Sequence, residues 1–176
     1  MTSRDFGSGH ARGRLWESAP PMEFMIPEPS REVSVFMAAS NSPPPTRTVA
    51  VEVLVPLGAR AEYGLLGGEF SPMASTTLLR VDVFYGVGDH VASLASGFDE
   101  VRAGLPREFA RAVGAEIESL RGRVEVSPGV LTLSYAAHGL VGSSERMFRR
   151  LARWLVMSAT TGDGVPDEEL LSLFQP

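Results

Sequence analysis

One stretch near the C-terminal end limits the fold of this 176-residue chain more than any other. From Ser143 to Ser158, Met147, Phe148, Leu151, Trp154 and Leu155 recur at steps of three and four residues. Beside them Arg146, Arg149, Arg150 and Arg153 occupy i, i+3, i+4 and i+7. This spacing predicts a helix with an apolar face and an adjoining cationic one, capped by Ser143 or Ser144. Such a helix needs an apolar layer to lie on, so the chain must fold in layers. A second helix is expected over 106–120, with Pro106 at its first position and Phe109, Val113, Ile117 and Leu120 along one face. Gly122 closes it.

The covering layer is legible as strands. Val49, Val51, Val53 and Val55 fall at period two, which makes 47–55 the clearest of them. Leu79, Val81, Val83 and Tyr85 mark another, ending at Gly86, and residues 32–38 and 96–102 read as shorter extended pieces. Ser127-Pro128-Gly129 predicts a turn between 123–126 and 130–135, with Leu131, Leu133 and Tyr135 facing the core. Residues 57–76 hold Gly58, Gly64, Gly67 and Gly68 and read as a turn-rich connection with room for a short hairpin. The expected organisation is a flexible or loosely docked Pro/Gly-rich arm over 1–46, an α+β domain over 47–160 and an acidic tail over 161–176 with a short helix from Pro166. Trp16, Met22, Phe24 and Met25 make the arm apolar enough to dock on the domain or on a partner.

Composition removes several function classes. With no cysteine there are no disulfides, thiolate metal sites or cysteine nucleophiles. All 16 basic residues are arginine, so a P-loop lysine and Schiff-base chemistry are absent. Net charge is −5, and it is uneven: residues 77–160 carry ten arginines against nine acids, the remainder six against twelve. No run approaches the apolar length of a membrane span, and the expectation is a cytoplasmic protein with no membrane partner.

Several segments form an ordered series: Phe98-Asp99-Glu100-Val101-Arg102-Ala103-Gly104-Leu105-Pro106-Arg107-Glu108-Phe109, then Leu120-Arg121-Gly122, Leu131-Thr132-Leu133, and His138 through Gly142-Ser143-Ser144-Glu145 to Met147-Phe148. Over roughly 77–160 this series resembles domain IV of elongation factor G. There a Gly-Gly-x-x-Pro-x-Glu-aromatic run leads into one helix and a His-Asp-x-Asp-Ser-Ser-Glu loop into another. The resemblance implies a two-layer split β-α-β sandwich like ribosomal protein S5 domain 2, here with an N-terminal extension. It also implies a non-enzymatic module contacting ribosome or RNA through tip loops near Gly104 and His138. The chain departs from the pattern at those loops, with Ala103-Gly104 for the glycine pair and His138-Gly139 for the His-Asp.

The candidate RNA- or partner-binding residues are Gly104, Arg107, His138, Arg146, Arg149, Arg150 and Arg153. Arginine's planar donors suit phosphates, although an ordinary solvated helix face, paired with the acidic tail, would carry the same spacing. His138 is expected in a solvent-side loop. Asp99-Glu100 is expected to be solvated surface, and Ser143-Ser144 lacks a nucleophile elbow. No histidine spacing supports a metal site, and no catalytic residue, cofactor or nucleotide is expected. The alternative function is a protein-interaction or assembly component, binding another protein or itself, that keeps the fold without RNA binding.

Overall fold

A computed structural model describes residues 3–27, 29–39, 42–161 and 167–174. The architecture is α+β, dominated by one eight-stranded sheet. Its strands are β1 (Ser3–Ser8), β2 (Ala11–Trp16), β3 (Ser30–Ala38), β4 (Arg47–Leu57), β5 (Arg60–Pro72), β6 (Leu78–His90), β7 (Val101–Leu105) and β8 (Gly129–Gly139). The helices are α1 (Arg107–Ser119), α2 (Glu145–Thr160) and α3 (Asp167–Ser172). The spatial order is β1-β2-β4-β5-β8-β7-β6-β3. All named pairs are antiparallel except β6 with β8, which run parallel from Leu79↔Gly129 to Val83↔Leu133. β7 separates β6 from β8 farther along, pairing with the C-terminal part of each.

Period-two patterning in β4 sorts the two faces. Val49, Val51, Val53 and Val55 lie in the main core with α1 and α2. Ala50 and Leu54 point the other way, into a second cluster with Trp16, Phe24, Tyr63, Val91 and Ala95. β4 and β5 are therefore buried on both faces. The second face is closed by the 17–27 segment and the loop after β6.

The structure corrects the sequence reading in four places. Residues 3–27 and 29–38 are not a loose arm: β2 extends the sheet from β4, β3 pairs along β6, and Trp16 and Phe24 are core residues. The hairpin of β1 and β2 escaped detection because β1 is exposed on both faces and shows no alternation. Second, 60–72 is a long central strand rather than a turn-rich connection. Its glycines are there for close approach: a Cβ on Gly64 would lie 2.9 Å from Leu151 Cδ1 and from Met147 Cγ, so glycine lets α2 settle on β5. Third, 123–126 forms no hairpin strand, and β8 pairs instead with β5, β6 and β7. Fourth, Tyr135 does not share a face with Leu131 and Leu133. A register shift opposite Gly67/Gly68 puts one extra residue in β8, so Tyr135 joins the second cluster while Ala136 joins the main core.

Both long helices fall where periodicity placed them. The α2 residues Met147, Phe148, Leu151, Trp154 and Leu155 are buried. Phe148 stacks on Phe109 of α1 with ring centroids 4.8 Å apart. Pro106 is the N-cap of α1, one position earlier than expected. Of the tail, α3 is described: Leu170 and Leu173 are buried, and Phe174 stacks on Phe6 of β1. The expected start of this helix at Pro166 lies outside the described residues.

Candidate functional site

The four α2 arginines are brought together, but none stands as an isolated cation. Arg150 donates to Glu62 Oε2 at 2.8 Å, and Arg146 lies 3.6 Å from the same oxygen. Arg153 gives two hydrogen bonds to Glu116 Oε1, at 2.8 and 2.6 Å, and Arg149 reaches Glu145 at 3.4 Å. These partners come from β5, α1 and α2. With Trp154, Met157 and Leu173 these arginines wall a cleft of about 440 Å³ between α1, α2 and the α3 turn.

Gly104 and His138 also meet, at a different place and out of solvent. His138 belongs to β8 rather than to a loop, is 6% exposed, and its Nδ1 lies 3.1 Å from the Gly104 carbonyl oxygen. Burial holds the imidazole below its usual pKa range, although the Gly104 hydrogen bond pulls the other way. Gly104 sits in β7 at φ +94°, where a Cβ would run into the Gly86 carbonyl oxygen. Its role is to let β7 lie against β6. Arg107 is exposed, with its guanidinium carbon 5.6 Å from the centre of the Tyr85 ring. Neither His138 nor Arg107 lines the arginine cleft.

Sequence reasoning missed the end of the sheet where three loops converge. Leu57 at the end of β4 is 53% exposed, Phe98 in the loop before β7 67%, and Leu140 and Val141 after β8 52% and 80%. Leu57, Phe98 and Val141 flank one shallow cleft of about 260 Å³. The loops carrying them are held by hydrogen bonds. Asp99, expected to be solvated, accepts the Gly142 N–H at 2.7 Å and the Val141 N–H at 3.1 Å. Leu140 donates its N–H to the Glu100 carbonyl, and Tyr63 donates its own to the Gly142 carbonyl. The serines divide their roles: Ser144 Oγ caps α2 by accepting from Met147 N, and it lies 2.5 Å from Glu62 Oε1. Ser143 Oγ donates to the Tyr63 carbonyl at 2.7 Å and accepts the Gly139 N–H at 2.8 Å.

Beneath the tip lies a buried acid. Glu52 on β4 accepts from Tyr63 Oη at 3.0 Å and from the Leu94 N–H at 2.8 Å, tying β4, β5 and the loop before β7 together. Burial raises its pKa, the two hydrogen bonds and Arg14 opposing. Burial also pushes the Tyr63 hydroxyl well up, reinforced by the neighbouring Glu52 charge. Both hydrogen bonds are made to one oxygen, Oε1. Glu52 thus reads as a structural tie under the loop rather than as a group that meets a substrate.

Among the described residues no group of three or more His, Asp or Glu could hold a metal ion, and no helix is long and apolar enough to cross a membrane. Comparison with protein-family models, curated proteins and solved structures found no match to this chain. The geometry of the molecule itself is what defines its class: an α+β protein with an ion-paired arginine cleft and a fixed apolar tip.

Proposed function

We propose that the chain is a non-enzymatic binding module that docks a protein partner on the tip formed by Leu57, Phe98, Leu140 and Val141. The observation that carries this reading is the combination of exposure and order. Four large apolar side chains face solvent on loops pinned by the Asp99, Ser143 and Gly142 hydrogen bonds. Exposed apolar groups held rigid lose little conformational entropy on binding and gain the full benefit of burial. A phosphate backbone would gain nothing from these side chains. His138 and Gly104, the candidates for RNA contact at this end, are buried.

The finer fold reading, a plan like that of ribosomal protein S5 domain 2 and of elongation factor G domain IV, belongs with this proposal. Its support is topological. Parallel β6 and β8, with α1 between them in sequence, β7 between their C-terminal parts and α2 after β8, support that reading. The Pro106-Arg107-Glu108-Phe109 run falls at the start of α1 and Ser143-Ser144-Glu145 at the start of α2, which supports that reading.

The test is Phe98→Ser with Val141→Ser, both at exposed positions, in an affinity capture at low and high salt with protein and nucleic acid identified in the eluate. A protein retained at high salt by the wild type and lost by the double variant is the expected result. Ribosomal RNA retained only at low salt, and equally by both, would overturn the reading in favour of RNA contact.

A further inference from the structure

The arginine cleft is a separate feature from the tip, and its chemistry is different. Among the described residues its walls carry Arg146, Arg149, Arg150 and Arg153 together with the carboxylate of Glu116. Glu62 and Glu145, which pair with three of these arginines, are not among the residues lining the cleft. The cleft wall thus brings four guanidinium-bearing side chains together. Trp154, Met157 and Leu173 add an apolar lining, so the site pairs cationic donors with a greasy surface. Trp154 is 5% exposed, and its indole N–H is buried with no hydrogen-bond partner. A buried donor without an acceptor is costly, and native structures seldom leave one so. The cleft's volume, about 440 Å³, lies in the range of small-molecule sites.

We propose that this cleft binds a small amphiphilic anion: a phosphate monoester or carboxylate carried on an apolar body. The head group takes guanidinium donors, and the body packs on Met157, Leu173 and the Trp154 ring. Charge alone would favour inorganic phosphate, and apolar surface alone would favour a neutral aromatic; the cleft offers both together. This inference does not depend on the docking reading of the tip.

The test is titration calorimetry of the full chain with 1-naphthyl phosphate and 1-naphthoate, using inorganic phosphate and neutral 1-naphthalenemethanol as controls. One-site binding of at least one naphthyl anion, about tenfold or more tighter than either control, is expected. Arg146→Gln at an exposed position, combined with Arg149→Gln at a half-buried one, should weaken it about tenfold with Tm unchanged. The Phe98→Ser/Val141→Ser tip variant should bind as the wild type does. Absence of saturable binding by both anions would overturn the proposal. So would equal affinity for the neutral alcohol, or wild-type affinity in the double arginine variant.

Discussion

Asp99→Ala is expected to loosen the tip without unfolding the sheet. The Asp99 carboxylate accepts the half-buried Gly142 N–H at 2.7 Å, and it accepts the exposed Val141 N–H in a longer, bifurcated bond at 3.1 and 3.3 Å. A hydrogen bond to a charged acceptor contributes about 1.5–3 kcal/mol when buried and less where water competes, so these two together contribute about 1–2 kcal/mol. Because both donors sit in the loop between β8 and α2, that loss should appear as local opening rather than global unfolding. An opening made easier by 1–2 kcal/mol raises exchange by a factor of about 5–30. Hydrogen exchange read by mass spectrometry over 139–144 should rise by that factor, while amides in the centre of β5 and β8 should stay at the wild-type rate. Asp99→Asn, which keeps one acceptor oxygen, should fall between the two. Wild-type exchange in the loop, or an equal rise in β5 and β8, would refute the argument that Asp99 is a local clamp.

Three further outcomes follow from the packing. Phe148→Ala, at a fully buried site stacked on Phe109, should cost about 3–5 kcal/mol, read from the urea midpoint at unchanged m-value. Gly104→Ala should cost about 2 kcal/mol or more by the same assay, since the position combines φ +94° with a clash against the Gly86 carbonyl. Burial holds the folded-state pKa of Glu52 above its unfolded value, so the stability it contributes is complete below the unfolded pKa and is lost as pH rises through the folded one. Glu52→Gln keeps an acceptor for Tyr63 and Leu94 and cannot ionise. Its Tm relative to the wild type should therefore increase from about pH 5 to pH 8, and a constant difference would show that Glu52 does not titrate in this way.

The parts of the fold that could be read from sequence are those where a single face is buried. Val49 to Val55 alternate because one side of β4 meets the helices, and α2 shows its stripe because only that stripe meets the sheet. β5 was hidden because it is buried on both faces and uses glycine where neighbours crowd it, which erases alternation and imitates a loop. β1 was hidden for the opposite reason, being exposed on both faces. The bulge that turns Tyr135 away from Leu131 and Leu133 depends on pairing with β5, about seventy positions away in sequence, and leaves no local mark.

The same distinction governs the site. That the four α2 arginines share a face follows from helical spacing alone. Their partners Glu62 and Glu116 lie on other elements, so neither the pairing nor the cleft was visible. His138-Gly139-Leu140-Val141-Gly142 reads as one loop, yet β8 continues through Gly139 and buries His138 before the chain turns. Phe98, Leu140 and Val141 look unremarkable one by one. Only the convergence of three loops makes them a patch, and the sole sequence hint was a set of apolar residues in segments rich in glycine.

The most direct test of the central claim is in-cell photo-crosslinking from a benzophenone side chain placed at Phe98. Val87, an exposed residue on β6, serves as the control position. If the tip is a protein-docking surface, position 98 gives a discrete protein adduct that position 87 does not, and the adduct disappears when Val141→Ser is added. Crosslinks to RNA from position 98, or identical patterns from 98 and 87, would contradict it.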